Sequence, residues 1–408
     1  MELFDKVGKF TEAKEAIEAG IYPYFQPLSE SEGAIATFNG REVIMLGSNN
    51  YLGLTTHPRV KKAAQDAIDR YGTSCTGSRF LNGTLDFHLE LDHRLANFVG
   101  MEAAIVFPTG YQTNLGTISA LVQKEDFVII DKDDHASIVD GCLLARGEMR
   151  RFVHNDLDSL RNALKKLPAD SGKLVVVDGV YSMFGDVAPL PEIVEICKQY
   201  NARIMVDDAH SIGVLGGGRG TAAHFGLTDE VDLIMGTFSK SFASIGGFIA
   251  GKADVIHYIQ HHARSLIFSA SLPAANAMTV LTALDIIESE PEHVQRVLDN
   301  ADFMRQGLTK LGFNIGQSQT PVIPVIINDY YRTGLAWRAL ADNGVYTNPV
   351  VPPGVPPNKS LLRTSYMATH TKELLQKALD VMEMVGENLD IIPSKEERAK
   401  LETLSTTA

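Results

Sequence analysis

The sequence predicts an α/β protein with a mostly parallel central sheet flanked by helices and a smaller α+β domain toward its C-terminal end. Three observations support this fold class: short apolar runs without alternation, amphipathic helices between them, and polar or glycine residues directly after several runs. Strands buried on both faces of a parallel sheet are apolar throughout. Ligands of open α/β sheets bind beyond the carboxyl ends of the strands. A binding site is therefore expected where these polar clusters meet.

Composition and charge narrow the class of protein. The chain has 408 residues, of which 45% are hydrophobic and 21% charged, as in an ordinary globular protein with a large core. A net charge of −13 argues against a general nucleic-acid binder, which needs a basic surface. The cysteines, Cys75, Cys142 and Cys197, form neither a disulfide framework nor a CxxC metal pattern. These features predict a cytoplasmic protein with at most peripheral membrane contact.

The pattern of apolar and polar residues predicts three parts of the chain. Residues 1–56 contain an amphipathic helix and two strand-like runs around the turn Asn39-Gly40. Residues 57–285 alternate helices with the predicted strands "AAIVF", "FVIID", "KLVVVDGV", "ARIMVDD", "VDLIMGT" and "GGFIAG". Residues 286–408 open on one periodic helix, "IIESEPEHVQRVLDNADFMRQGLTKLG", and continue with the strands "PVIPVIIN" and "LLRTSYMA". We expect the second part to be a large domain and the third a small one.

Lys240 follows one of the apolar runs and stands among hydroxyl side chains, in "MGTFSKSFASIGG". A lone lysine in a loop is usually solvated, whereas a partly desolvated lysine can act as an amine and form a Schiff base. Thr237 and Ser239 could donate hydrogen bonds to a phosphate. The stretch by itself leaves both interpretations open.

Asp207 ends the run "ARIMV" and is followed by Asp208, Ala209 and His210. A carboxylate at the end of a buried strand is unfavourable unless a positive group meets it. Asp207 is therefore either a helix cap or ion-pair partner, or the partner of a protonated pyridine nitrogen in a pyridoxal ring. In the second case His210, three residues further on, could reach the ring hydroxyl.

Four more residues are candidates. Gly110 and Tyr111, in "FPTGYQTNLG", lie where a strand gives way to a helix, either as a simple turn or as backbone N–H groups that cradle a phosphate. His135, in "DKDDHASIVDG", fits a stacking role on a planar cofactor, while "DKDD" is typical of a charged loop and no standard metal spacing is present. Arg363, in "LLRTS", forms either a salt bridge or a bidentate contact to a substrate carboxylate.

Together these signals resemble a known family. In order, the chain contains "TGYQTN", "DHASIVDG", "DGVYSMFGD", "VDDAHSIG", "GTFSKSFASIGG", "IFSASLP" and "LLRTSYMATHT". This series is similar to the α-oxoamine synthases, from about Tyr22 to Leu389. The resemblance implies a fold-type I transferase that depends on pyridoxal 5'-phosphate, condenses an amino acid with an acyl-CoA and releases CO2.

The resemblance also implies roles for individual residues. Lys240 matches the Schiff-base lysine, Asp207 the partner of the pyridine nitrogen, His210 the residue at the ring oxygen and His135 the stacking histidine. The matched phosphate-binding positions are Gly110, Tyr111, Thr237 and Ser239. Ser269 matches a position that reaches the phosphate of the neighbouring subunit, which implies a homodimer with shared active sites. The matched substrate-binding positions are Asn50, Ser182 and Arg363.

The substrates are narrowed by "GTSCTGSRFLNGTLDFHLELD". This stretch is similar to soluble bacterial family members that condense L-serine with palmitoyl-CoA to 3-oxosphinganine, the first step of sphingolipid synthesis. Some of those members carry an arginine where this chain has Val351, which leaves a second contact to the carboxylate open. The alternatives are a sister reaction of glycine or alanine with another acyl-CoA, a silent scaffold subunit, and an aminotransferase. The joint presence of Lys240, Asp207 and His135 argues against the scaffold.

Overall fold

The computed structural model describes residues 2–31, 33–352, 354–355 and 358–405. Contacts within the chain define two units. One unit is Asn49–Leu298, and the other combines the chain up to Ser48 with the chain from Asp299 onward. The N-terminal segment thus shares a unit with the C-terminal part. The three domains with boundaries at 56/57 and 285/286 stay a prediction.

Helices and strands alternate along most of the chain. The strands are β1 Leu28–Ser31, β2 Ile35–Phe38, β3 Arg41–Met45, β4 Ala103–Phe107, β5 Phe127–Asp131, β6 Glu148–Phe152, β7 Lys173–Asp178, β8 Arg203–Asp207, β9 Leu233–Thr237, β10 Gly247–Gly251, β11 Val322–Ile326, β12 Val345–Tyr346, β13 Asn348–Val350 and β14 Leu361–Ser365. The helices are α1 Glu12–Glu18, α2 Pro58–Tyr71, α3 Asp86–Val99, α4 Gly110–Leu121, α5 Ala136–Leu144, α6 Leu157–Lys165, α7 Leu190–Gln199, α8 Thr221–His224, α9 Ala253–His262, α10 Arg264–Ile267, α11 Ala274–Ser289, α12 Glu292–Leu311, α13 Tyr330–Asp342, α14 Lys372–Asn388 and α15 Lys395–Ser405.

The unit Asn49–Leu298 is built on a sheet whose described strands have the order β4-β10-β9-β8-β7-β5-β6. The neighbours β6, β5, β7, β8 and β9 are parallel, and β10 runs antiparallel between β4 and β9. Each of the six predicted apolar runs forms a strand of this sheet, so the mostly parallel sheet is confirmed. The edge strand β6, "EMRRF", was not predicted because most of its side chains are exposed and polar.

The absence of alternation in these strands follows from burial on both faces. Every described residue of β7 and β9 is buried. One face of the sheet shares an apolar cluster with the flanking helices, and its members include Val128, Ile130, Val176, Met205, Ile118 of α4 and Ile138 of α5. Covering both faces is what makes a strand apolar throughout and fixes its ends as the place for polar side chains.

The other unit contains two smaller sheets and confirms the predicted α+β part. The described strands of one sheet have the order β1-β2-β3-β12, and those of the other β11-β14-β13. The turn between β2 and β3 is Asn39-Gly40, with φ angles of 49° and 73°, the conformation that favours these two residues in a tight hairpin. Helices α13 and α14 contribute Trp337, Leu375 and Met382 to its core.

The long periodic helix predicted from Ile286 onward is wrong as a single element. Helix α11 ends at Ser289 and α12 begins at Glu292. Pro291 lies between them. Proline lacks a backbone N–H and disfavours helical geometry in the residue before it, which explains the break. In the part of the chain that the structure describes, no helix combines the length and the apolar character needed to cross a bilayer.

Candidate active site

A cavity of about 290 Å³ lies at the carboxyl edge of the central sheet. This volume is close to the roughly 300 Å³ at which pockets for small ligands begin. Its lining follows the ends of β4, β5, β7, β8 and β9. The cavity brings together the predicted residues Gly110, Tyr111, His135, Asp207, His210, Thr237, Ser239 and Lys240. Residues up to 130 positions apart therefore share one site, since 240 minus 110 is 130.

One end of the cavity is suited to an anion. Helix α4 begins at Gly110, and the side chain of Thr109 caps it by accepting a hydrogen bond from the Gln112 N–H at 3.1 Å. The first N–H groups of a helix have no partner within the helix, and the helix dipole makes this end positive. The Thr237 hydroxyl oxygen lies 3.1 Å from that of Ser239. These groups have the chemistry of a phosphate site.

Gly110 is required by the close approach of β9 to this turn. A Cβ atom at position 110 would lie 2.6 Å from the Thr237 hydroxyl oxygen and 2.9 Å from its Cβ. Both distances are too short for any larger residue without movement of Thr237. The glycine therefore lets a hydroxyl side chain and the helix N-terminus face the same ligand.

Asp207 ends β8 and is buried, with 4% of its surface exposed. One carboxylate oxygen accepts a hydrogen bond from the Ala209 N–H at 3.0 Å, and the other accepts one from Asn114 Nδ2 at 2.7 Å. Both carboxylate oxygens therefore act as hydrogen-bond acceptors toward N–H donors. A buried anion that faces a cavity is suited to pair with a cation such as a protonated pyridine nitrogen.

His135 is the N-cap of α5. Its Nδ1 accepts a hydrogen bond from the Ser137 N–H at 3.2 Å and lies 2.7 Å from the Ser137 hydroxyl oxygen. Because Nδ1 accepts from a backbone N–H, the neutral ring carries its proton on Nε2. Burial lowers the pKa of His135; the charge of Asp207 opposes this effect and that of Lys240 adds to it. The geometry therefore gives a neutral imidazole whose Nε2–H is a donor.

His210 is held by Tyr51, a residue that the sequence did not single out. The Tyr51 hydroxyl oxygen lies 2.6 Å from Nδ1 of His210, and both residues are buried. The two positions are 159 residues apart, so no local pattern connects them. The one sequence signal for Tyr51 is its place directly after Asn50, a residue that the family resemblance assigns to the substrate.

The segment before His135 is a turn with Lys132 and Asp133 exposed, as "DKDD" predicted for a charged loop, but its first and last carboxylates are not solvated. Asp131 and Asp134 are buried. Asp134 accepts hydrogen bonds from the Asp178 and Asp131 N–H groups, and His154 lies between Asp131 at 3.0 Å and Asp186 at 2.7 Å. Burial alone would lower the pKa of His154, but the hydrogen bonds to the two carboxylates outweigh it and raise the pKa to about 10. These carboxylates are structural: they fix the loops behind the cavity.

Several predicted residues lie outside the cavity lining. Asn50 is buried and donates to the Thr55 hydroxyl at 2.8 Å. The Ser269 hydroxyl accepts a hydrogen bond from Gln112 Nε2 at 3.2 Å within the same chain. Ser182 is not among the lining residues. The roles that the family resemblance gives these three residues stay predictions.

Arg363 belongs to β14, in the other unit. It is buried, and its Nη1 donates to the Ser365 hydroxyl at 2.8 Å. Its contact with a substrate carboxylate stays a prediction, as does the effect of Val351.

The structure adds lining residues that sequence reasoning missed, among them Asn114, Ser137 and Asp178. Asn114 lies in the motif "TGYQTN" and Ser137 in the motif "DHASIVDG". The signal that could have identified them is a polar side chain in a helix of a buried region. Within the described ranges, no group of three or more His, Cys, Asp or Glu side chains is placed to hold a metal ion.

Comparisons with known proteins define the class. Residues 41–382 match the family model of class I and II aminotransferases, and the chain belongs to this family. It is 49% identical over 391 residues, covering 96% of this chain and 98% of the relative, to a serine palmitoyltransferase of Sphingobacterium spiritivorum. A solved structure of serine palmitoyltransferase with its pyridoxal phosphate internal aldimine is 37% identical, with a TM-score of 0.94 over 96% of this chain and all of that one.

The sister enzymes are related at somewhat lower identity. An 8-amino-7-oxononanoate synthase of Alkaliphilus oremlandii is 42% identical over 384 residues, covering 93% of this chain and 96% of the relative. The predicted resemblance to the α-oxoamine synthases and the fold-type I architecture are thereby confirmed.

Proposed function

We propose that this protein catalyses the decarboxylative condensation of L-serine with a long-chain acyl-CoA, palmitoyl-CoA, to 3-oxosphinganine, CoA and CO2. The observation that carries the proposal is the convergence of Lys240, Asp207 and His135 on one cavity at the carboxyl edge of the sheet. The name of relatives such as the one at 49% identity supports serine and a palmitoyl thioester as substrates. The cofactor is pyridoxal 5'-phosphate, in keeping with the family and with the structural neighbour that contains it.

The cavity fits this cofactor. The N-terminus of α4 at Gly110 and Tyr111, with Thr237 and Ser239, would hold its phosphate. The buried Asp207 would face the pyridine nitrogen and His210 the ring oxygen, while His135 would lie against the ring. The strongest support is the pairing of an anion-binding end with a buried carboxylate in the same cavity, because a pyridoxal phosphate ring needs both.

When bound, pyridoxal phosphate supplies an electron sink for the pair left on the Cα atom of the amino acid. Lys240 Nζ would hold the cofactor and would accept the Cα proton of the amino acid. Asp207 would keep a proton on the pyridine nitrogen. The Nε2–H of His135 donates to the thioester carbonyl oxygen, where negative charge develops as the new C–C bond forms and CoA leaves.

The remaining substrate contacts follow the family resemblance. Arg363 would bind the serine carboxylate by a bidentate pair, and Asn50 and Ser182 would contact the amino acid. The burial of the Arg363 guanidinium supports this role, because a charge-assisted bidentate pair is stronger in a buried site.

We infer that the protein works as a homodimer with shared active sites, in which Ser269 reaches the phosphate bound by its partner. The large apolar side chains Phe268 and Leu81 support this assembly because they are 74% and 78% exposed in the single chain and would lose contact with water if a second chain packed against them. Analytical ultracentrifugation is expected to give twice the chain mass.

We infer a cytoplasmic location with at most peripheral membrane contact. The free cysteines support a reducing compartment: Cys142 and Cys197 are buried, and burial raises the pKa of each thiol to about 12, so neither is reactive. Fractionation of cells that express the protein is expected to place most of it in the soluble fraction.

The test is CoA release with a panel of amino acids and acyl-CoAs. Serine with palmitoyl-CoA is expected to give the highest kcat/KM, and Lys240→Ala to abolish both turnover and the visible absorption of covalently held cofactor. Highest activity with alanine or glycine and a short acyl-CoA would favour the sister reaction, which the relative at 42% identity catalyses by name. Amino-group transfer to a keto acid without CoA release would identify an aminotransferase instead.

A further inference from the structure

We infer that Asn114 and Ser137 form a hydrogen-bonded bridge that joins His135 to Asp207 and holds both in the orientation that the reaction needs. The inference rests on the proposed function for the roles of His135 and Asp207. Asn114 and Ser137 are positioning residues: each acts through a neighbour.

The bridge is continuous. Asn114 Nδ2 lies 2.7 Å from Oδ2 of Asp207 and 2.8 Å from the hydroxyl oxygen of Ser137. That hydroxyl lies 2.7 Å from Nδ1 of His135. Asn114 and Ser137 are almost completely buried. Three hydrogen bonds thus connect the start of α5, the middle of α4 and the end of β8.

The direction of each hydrogen bond is fixed by chemistry. An ionised carboxylate only accepts, so the atom of Asn114 that faces Asp207 must be the amide nitrogen. The two hydrogens of that nitrogen then point to Asp207 and to the Ser137 oxygen. The Ser137 hydroxyl, having accepted one hydrogen bond, donates its own hydrogen to Nδ1 of His135. A rotated amide would place two oxygens against each other and lose both donations.

The consequence is that the two cofactor-facing groups are not independent. If the Ser137 hydroxyl is lost, one hydrogen of the Asn114 amide has no acceptor in a buried site, and the amide can rotate away from Asp207. If Asn114 is lost, Ser137 is free to turn its hydrogen away from His135. Networks in a low-dielectric interior are lost as a unit for this reason.

A role in packing alone would have a different signature. The Asn114 side chain is completely buried, with 0% of its surface exposed. Replacing Asn114 could therefore lower stability without any effect on His135 or Asp207. The test must separate these two roles.

The first measurement is the affinity of the apoenzyme for pyridoxal phosphate, followed by fluorescence, in Asn114→Ala, Ser137→Ala and the double variant. Each single variant is expected to raise the Kd about 5- to 10-fold, the net effect of one ordinary hydrogen bond. The double variant is expected to match a single one, because all three break the same bridge. Thr117→Val is the matched control: Thr117 is buried on α4 outside the bridge, and its Kd is expected to stay within about twofold.

The second measurement is the 15N NMR signal of the His135 ring in histidine-labelled apoenzyme, assigned with His135→Asn. Asn114 does not touch His135, yet Asn114→Ala is expected to shift the Nδ1 signal as Ser137→Ala does. Ser137→Thr, which keeps the hydroxyl, is expected to restore both the signal and the affinity. If Asn114→Ala does not fold, Ser137→Ala and its threonine rescue decide the question.

Two results would overturn the bridge. The first is a double variant whose increase in Kd equals the product of the two single increases. The second is an unchanged His135 Nδ1 signal in Asn114→Ala or, if that variant does not fold, in Ser137→Ala. These outcomes are distinct from failure of the proposed function. An enzyme that binds pyridoxal phosphate but forms no 3-oxosphinganine would refute the reaction, while the NMR shift and the affinities would still judge the bridge.

Discussion

The Tyr51 hydroxyl lies 2.6 Å from Nδ1 of His210, across 159 residues of sequence. Tyr51 therefore fixes the ring of the residue assigned to the cofactor's ring oxygen. Tyr51→Phe keeps the buried ring and removes this hydrogen bond, worth about 1 kcal/mol, so we expect roughly fivefold weaker pyridoxal phosphate binding. Fluorescence titration of the apoenzyme with pyridoxal phosphate measures this change in affinity. Tyr71→Phe, whose hydroxyl contacts Asp86, is the control. Equal affinities of Tyr51→Phe and wild type would contradict the role.

Gly110→Ala is expected to weaken cofactor binding more strongly. The added methyl group would lie 2.6 Å from the Thr237 hydroxyl oxygen, so either the turn or Thr237 must move away from the phosphate site. A misplacement of this kind typically changes function by about 100-fold, and we expect a loss of affinity of at least about tenfold. Gly8→Ala, where the nearest atom would be 4.0 Å away, is the control. An affinity within twofold of wild type would show that the phosphate lies elsewhere.

His154→Gln is expected to destabilise the unit Asn49–Leu298. The change leaves Asp131, which is completely buried, without its cationic partner. Breaking a buried pair lowers the free energy of unfolding by about 3 kcal/mol. Urea unfolding at pH 6 measures this loss of free energy of unfolding. The control is His93→Gln, because His93 is exposed.

The same pair predicts a pH dependence. The pKa of His154 is raised from 6.5 to about 10 in the folded protein, so the folded state holds this proton more tightly than the unfolded chain. Its stabilisation is complete below about pH 6.5 and is lost as the pH rises toward and through about 10. The stability difference between wild type and His154→Gln is therefore expected to shrink over this range. A constant difference from pH 6 to pH 10.5 would show that packing, not charge, causes the effect.

The sequence predicted what depends on local pattern. A strand covered on both faces must be apolar, so the six runs identified β4, β5, β7, β8, β9 and β10, and residues after several of them, such as Lys240 and Asp207, had to lie at one edge. Their meeting in one cavity required no long-range information beyond the parallel sheet. The roles of these side chains came from the family resemblance.

What depends on tertiary partners could not be predicted. Nothing in the sequence around Tyr51 indicates its contact with His210, because that contact is formed only by the fold. "DKDD" has the composition of a charged loop, and the burial of Asp131 within it depends on its contacts with His154 and with the Asn155 N–H. The edge strand β6 lacks an apolar run because one side of an edge strand meets water. Pro291 indicates a helix break, but the apolar periodicity continues on both sides of it and therefore predicted one helix.

Our central proposal is that Lys240 accepts the Cα proton of serine and that the condensation which follows releases both CO2 and CoA. The most direct measurement follows labelled CO2, free CoA and 3-oxosphinganine together, with palmitoyl-CoA and L-serine that carries 13C in its carboxyl group. The account predicts equal amounts of all three products with the wild-type holoenzyme and none with Lys240→Ala. CoA release without labelled CO2, or turnover retained by Lys240→Ala, would contradict it.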